Sequence, residues 1–286
     1  MQTRRDVLKL AAGGIGVPRL LFSKPNSVVR GVVIGVQSYS FRDRQLAPAI
    51  AAMASLGMSS CELWQGHIEP EKASRKALRE WRENIAIEQF EVVRDQFTKA
   101  GVKLYAYNYS FQDDFSDREV ERGFEMAKAL GVKVITASAN VDMAKRINGY
   151  AVQHDILVAM HNHDSMKPNQ FSTPEDFLSA MRGNSHIRIN LDIGHFTAAN
   201  FDPVDYVEKM SSSIVALHIK DRKKDHGENM PFGQGDTPIR QVLQLVVAKQ
   251  MKIPALIEYE YAGQDPVEEV RKCYAFCRKA VTETPR

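Results

Sequence analysis

The strongest constraint on this chain is a repetition. A short run rich in β-branched or aromatic residues is followed by an amphipathic segment, and the pair recurs eight times after residue 31. The apolar runs are Val32–Val36, Ser60–Leu63, Lys103–Tyr107, Lys133–Ala137, Leu157–Met160, Ile187–Leu191, Ile214–Ile219 and Ala255–Tyr259. Gly101-Val102 and Gly131-Val132 precede two of them, the pattern of a helix closed by glycine that turns into a strand. Between the runs, Glu88–Ala100 places Phe90, Val93 and Phe97 at spacings of three and four, and Arg118–Leu130 does so with Val120, Phe124, Ala127 and Leu130. Thr173-Pro174-Glu175-Asp176 and Asp236-Thr237-Pro238 read as helix starts. Alternating strands and helices build a parallel sheet with right-handed crossovers. Eight units in 31–286 predict a single-domain α/β fold, a closed (β/α)8 or TIM barrel, for which about 250 residues is typical. The alternative, a doubly wound open sheet, usually carries a glycine-rich phosphate loop after its first strand. That position reads Gln37-Ser38-Tyr39-Ser40-Phe41.

Residues 1–30 stand apart. The net charge of +3 divides into +5 in this tail and −2 in the rest. Thr3-Arg4-Arg5-Asp6-Val7-Leu8-Lys9 resembles the bacterial twin-arginine signal, and a weakly apolar segment, Leu10 to Val17, follows it. Arg19 interrupts that segment and no clear A-x-A cleavage site follows. The resemblance implies that 1–30 is an export signal and linker and that the product is periplasmic. Read instead as a plain basic tail, the same segment leaves the protein cytoplasmic. No run of 18 apolar residues occurs, so no membrane association is expected apart from export. The −2 remainder lacks the basic footprint that nucleic acid demands. The three cysteines, Cys61, Cys273 and Cys277, fit neither a disulfide framework nor a zinc finger and are read as packing thiols.

In a barrel of this kind the chemistry sits at the C-terminal ends of the strands. Polar residues gather there. The second run ends Cys61-Glu62-Leu63-Trp64, the fifth Met160-His161-Asn162-His163-Asp164, the sixth Leu191-Asp192-Ile193-Gly194-His195, the seventh His218-Ile219-Lys220-Asp221 and the eighth Glu258-Tyr259-Glu260. Such groups, unpaired, would suffer desolvation and mutual repulsion. One divalent metal bound by carboxylates and imidazoles resolves this, and the mixed oxygen and nitrogen set suits Mn, Co, Zn, Fe or Mg.

The order Asp192-x-x-His195, His218-x-x-Asp221 and Ile257-Glu258-Tyr259-Glu260 on an eight-unit pattern resembles the xylose isomerase-like barrel superfamily, nearest its sugar phosphate isomerase/epimerase branch. The resemblance covers about 31–280. It implies metal ligands at His161, Asp192, His218 and Glu258. His161 is a departure, since the family usually has Glu there. The rival to Glu258 is Glu260, two residues on. His163 points inward by strand alternation and is expected on metal or substrate. His195 matches a family position that contacts substrate oxygens. Glu62 is expected to orient substrate or a histidine, and Asp221 to steady His218. Lys220 alternates outward but can curl into the mouth as a substrate contact. Trp64, Tyr107 and Phe41 are each read as core packing first, with an apolar wall against the sugar as the second reading. The loop after the seventh strand, with Asp225-His226 and Gly233-x-Gly235-Asp236, is expected to be a flexible lid.

The resemblance implies a small-molecule carbohydrate substrate and proton abstraction α to a carbonyl through an enediolate, with Glu258 as the base candidate and His195 and Glu62 beside it. Isomerisation or epimerisation is the first expectation. Keto-glycoside lyase or hydrolase chemistry by β-elimination is the alternative, because the missing strand-five Glu weakens two-carboxylate epimerisation. A non-catalytic carbohydrate-binding barrel is the remaining one. Apurinic endonucleases share the barrel but need further histidines; the third run ends Tyr105-Ala106-Tyr107-Asn108-Tyr109, with none. Barrels of this family often associate, so a homo-oligomer is left open.

Overall fold

The computed structural model describes residues 24–283. The twin-arginine motif lies outside the described residues. Eight strands form the barrel: β1 Val32–Gln37, β2 Ser60–Trp64, β3 Lys103–Asn108, β4 Val134–Ala137, β5 Leu157–His161, β6 Ile187–Asp192, β7 Ile214–Ile219 and β8 Ala255–Ile257. Each pairs in parallel with the next, and β8 pairs with β1, so the sheet closes. Upstream, Val28–Val29 pairs antiparallel with β1, and Ser27 is fully buried against Ser59. The eighth expected run is two residues shorter as a strand, ending at Ile257, although Glu258 N still donates to Ile219 O at 3.1 Å.

Ten α-helices surround the strands among the described residues: α1 Leu46–Ser55, α2 Arg75–Asn84, α3 Glu88–Ala100, α4 Asp117–Leu130, α5 Met143–His154, α6 Pro174–Met181, α7 Ile193–Ala198, α8 Pro203–Met210, α9 Ile239–Ala248 and α10 Pro266–Thr282. The two beyond an eightfold repeat are α2, in the β2–β3 connection, and the short α7 after β6. Helix α3 buries Phe90, Val93 and Phe97 on one face, each contributing about 1.5–3 kcal/mol relative to exposure. It ends at Gly101 with φ 74°, and α4 ends at Gly131 with φ 73°, the left-handed closure that the sequence indicates. Helix α6 opens on a capping box between Thr173 and Asp176. Helix α9 differs from expectation: Thr237 does not cap it, because its hydroxyl accepts from Arg222 N at 3.0 Å while Asp236 accepts from Lys224 N. Cys61, Cys273 and Cys277 are free and buried. No helix among the described residues is long and apolar enough to cross a membrane.

The position of the site follows from the closed sheet. Glu62 on β2 accepts from Thr136 on β4 and lies 2.8 Å from His218 on β7. Strands that are not neighbours meet this way only through side chains pointing into the barrel. The polar residues at the strand ends therefore converge rather than fan out.

Candidate metal centre at the barrel mouth

His161 ends β5, Asp192 ends β6, His218 lies one residue before the end of β7, and Glu258 follows β8. The barrel brings one ligand atom of each within 4.8 Å of all the others, and all four residues are buried. His161 Nε2 lies 3.5 Å from Asp192 Oδ2 and 3.9 Å from Glu258 Oε2, and His218 Nδ1 lies 3.1 Å from Glu258 Oε2.

Each group is held from behind. Glu62 is fully buried beneath His218, facing its Nε2, so Nδ1 is turned toward Glu258. Asn162, whose side chain lies opposite the two flanking histidines, clamps the Asp192 backbone: Asn162 Oδ1 accepts from Asp192 N at 2.9 Å and Nδ2 donates to Asp192 O at 3.1 Å. Asp192 Oδ1 caps α7 by accepting from His195 N at 2.7 Å. Oδ2 is left over. Both ring nitrogens of His161 and Asp192 Oδ2 are buried with no hydrogen bond of good geometry. A buried polar atom without a partner costs about 1–3 kcal/mol. Two imidazoles and two carboxylates, each with one ligand atom within 4.8 Å of the others and with His161 Nε2 and Asp192 Oδ2 free of hydrogen bonds, fit a divalent ion of the Mn, Fe, Co or Zn type.

Lys220 curls into the mouth rather than away from it. Its ammonium is buried, 2.6 Å from Glu260 Oε2, 2.9 Å from Glu258 Oε2, 3.2 Å from Asp192 Oδ2 and 3.1 Å from His195 Nε2. Burial alone would raise the carboxyl pKa of Asp192 and Glu258. Lys220 in both cases, with His195 and His161 at the first and His218 at the second, reverses this and holds both well below the usual carboxylate range. His218 moves the other way: burial would lower it, but Glu62 and Glu258 raise it well above the ordinary imidazole value.

His195 sits between donors. Arg222 Nη1 is 2.6 Å from its Nδ1, Lys220 is at Nε2, and Asp164 Oδ1 is 3.2 Å from Nδ1. Burial, then the Lys220 charge, lowers its pKa, so the ring is neutral. A neutral imidazole has one N–H and one lone pair. Arg222 and Lys220 can only donate, so the ring's single lone pair can accept from one of the two, while Asp164 can take a proton only from Nδ1. Neither Asp164 nor Arg222 was singled out from the sequence; Asp164 stands in the same His-Asn-His-Asp run as the expected ligand, and that run was the signal.

A cavity of about 250 Å³ opens over this cluster. Gln37, Tyr39, Trp64, Asn108, Ser110 and Ser138 form its walls, together with His161, His163, His218, Glu258 and Glu260. Trp64 thus reaches the site, edge-on to Tyr39 at 5.0 Å. Tyr107 and Phe41 are fully buried, as core packing requires, and do not wall the site. Two expectations are corrected by the structure. Asp221 does not steady His218. Its carboxylate points into the following loop and accepts from the amides of Gly233 at 2.7 Å, Gly235 at 3.1 Å and Thr237 at 3.2 Å, and Glu62 holds the histidine instead. That loop is consequently stitched down rather than a free lid. The Arg222 guanidinium also donates to Gly227 O and Asp164, and a Cβ on Gly235 would run into the Asp221 carboxylate.

Residues 50–280 match the family model described as xylose isomerase-like TIM barrel. L-ribulose-5-phosphate 3-epimerase UlaE of Escherichia coli is 25% identical over 174 residues, which are 60% of this chain and 54% of that protein. The chain therefore spans about half the length of the curated relatives it matches. Among solved structures, a sugar phosphate isomerase/epimerase from Parabacteroides distasonis superposes with a TM-score of 0.64 at 17% identity, covering 88% of this chain and 98% of that one. The 3-keto-D-glucoside 4-epimerase YcjR from E. coli superposes with a TM-score of 0.67 at 15% identity, covering 87% and 99%. With the family model matched over most of the chain and the barrel closed as that fold requires, the protein belongs to the xylose isomerase-like TIM barrel family.

Proposed function

We propose that the protein is a sugar isomerase or epimerase that removes a proton α to a carbonyl, using one divalent ion held by His161, Asp192, His218 and Glu258. The observation that carries the reading is the convergence of four buried ligand atoms within 4.8 Å of one another, with His161 Nε2 making no hydrogen bond. The names of the relatives point to the same chemistry. When bound, the ion would polarise the carbonyl and stabilise the enediolate left by the departing proton.

The chain's own residues supply the rest. Glu258 Oε2 faces His161, His218 and Lys220 at once, which places it as a ligand rather than as the proton acceptor. Glu260 lines the cavity, and only one of its oxygens is engaged, by Lys220. We assign the proton acceptor to Glu260. Lys220 and the neutral His195 form a hydrogen-bonded pair that orients oxygens of the substrate. His163 lines the cavity beside His161 and His195. Trp64 bounds the sugar on its apolar side.

The runner-up is elimination from an oxidised glycoside. It is favoured by His161, which leaves β5 without the carboxylate that a two-carboxylate epimerase would use. Export of the protein by its basic tail would also set it apart from phosphorylated intermediates. The test is NMR of unphosphorylated ketoses and 3-keto-glycosides in D2O with Mn or Co. Deuterium at a carbon α to the carbonyl supports proton abstraction, and the product distinguishes isomer, epimer and eliminated fragment. No exchange with any substrate or metal sinks the proposal.

A further inference from the structure

The cavity over the metal centre does not end at the histidines. Ser138, His161 and His163 also line a second compartment of about 160 Å³, which runs between the loops after β3, β4 and β5. Neither compartment alone reaches the ~300 Å³ at which small-molecule sites usually begin, and joined they exceed it. A single sugar ring at the metal centre would leave the second compartment to water.

The second compartment is built rather than incidental. Asn140 and Gln170 form an antiparallel bridge that joins the loop after β4 to the loop after β5. Val141 N donates to Asn169 O at 3.2 Å and Asp142 N to Asn169 Oδ1 at 2.9 Å. His163 N donates to Phe171 O at 2.8 Å, which fixes the shared wall. Phe111 and Phe171 are buried beneath the compartment, and Gln112, Asn140 and Gln170 line it with amides that both donate and accept. Neutral amides that both donate and accept match sugar hydroxyls, which do the same. None of the lining side chains is a lysine or arginine, and its one carboxylate, Asp113, accepts from Asn140.

A phosphate finds little better on the other side. Beyond Trp64 lies an outer cavity of about 720 Å³ that contains Arg42 and Arg44. Arg42 already donates to Tyr259 O, Arg44 to Asp43 and Asp265, and Asp43, Glu69 and Glu71 line the same space.

We propose that the compartment of Gln112, Asn140 and Gln170 is a second subsite that binds an uncharged, hydroxyl-rich group attached to the reacting sugar, so that the substrate is a neutral glycoside rather than a sugar phosphate. This rests on the reading that the mouth binds sugar. The deuterium-exchange test with single-ring ketoses examines that reading alone, so the two can fail separately.

The test is calorimetric titration of the full chain with methyl α-D-glucopyranoside, with trehalose, cellobiose and maltose, and with D-ribulose 5-phosphate. At least one disaccharide is expected to bind about tenfold or more tightly than the methyl glucoside. The double substitution Asn140→Ala/Gln170→Ala removes that advantage and leaves the methyl glucoside affinity unchanged. Gln112→Ala, whose side chain is exposed, reduces it severalfold without touching the loop bridge. The proposal is overturned if no disaccharide gains over the single ring, if the gain survives these substitutions, or if the sugar phosphate binds more tightly than every disaccharide.

Discussion

Two clusters of buried charge differ in how completely they are satisfied. Under α2, Glu119 is fully buried and both its oxygens are engaged: Arg75 donates to each at 2.8 Å, Arg79 and Ser116 N donate to Oε2, and Arg82 reaches Oε1. Arg82 in turn makes a two-pronged pair with Glu69. At the barrel mouth, His161 and Asp192 are also buried, yet three of their polar atoms have no hydrogen bond, although Asp192 Oδ2 has the Lys220 charge beside it at 3.2 Å. Burial of charge is common to both. The first cluster ties α2 to α4 and asks for nothing further. The second leaves lone pairs pointing at a shared space, which is what a ligand-binding site requires and a purely structural ion network does not.

Substitutions that separate binding from stability probe this contrast. The largest effect is expected from Asp192→Ala, which removes a ligand and the α7 cap together. Divalent-metal affinity measured by calorimetry should fall by more than about 100-fold, beyond the range seen for supporting residues. Glu119→Ala should destabilise the fold by about 3 kcal/mol in urea, the lower end for a broken buried pair because Arg82 keeps Glu69, while metal affinity stays unchanged. A loss of metal affinity in Glu119→Ala would break the distinction. Glu62→Gln should lower metal affinity about 10–100-fold with the unfolding midpoint little changed, since it acts through His218.

The smallest effect is in acid. Burial alone would raise the pKa of Glu119, but Arg75, the Ser116 amide and Arg79 outweigh it and lower it. A carboxyl lowered in the folded state stabilises fully above its unfolded value of about 4.3, and that contribution is lost as the pH falls below it. The melting temperature of the wild type should therefore fall more steeply from about pH 5 to pH 3 than that of Glu119→Gln. Parallel curves would show that the carboxylate contributes no such linkage.

Much of this architecture is written locally. Each barrel strand is a short apolar run beside a helix end or turn, so Val32, Lys103 or Ile214 announces its strand without reference to distant residues. The candidate ligands are legible for the same reason: a strand end is a fixed place, and His161, Asp192 and His218 lie at or next to one. What eluded the sequence depends on where the backbone goes after the sheet. Asp221 is two residues past β7, where alternation no longer dictates direction, and its carboxylate gathers the loop amides instead of meeting His218. Arg222 reaches Asp164 from a different loop, a pairing that no local pattern encodes. Tyr107 and Phe41 look like Trp64 in a list of aromatics, yet only Trp64 sits at the rim. The tight loop after β7 reads as flexible from its glycines, whereas Gly235 is small because the Asp221 carboxylate lies against it.

The most direct test is the metal content of the purified full chain, paired with deuterium incorporation into a keto sugar. Wild type should bind one divalent ion per chain and exchange the α-proton only when loaded, with His218→Ala defective in both. A chain that binds no divalent ion, or that exchanges equally well in chelator and in the His218→Ala variant, would contradict the account.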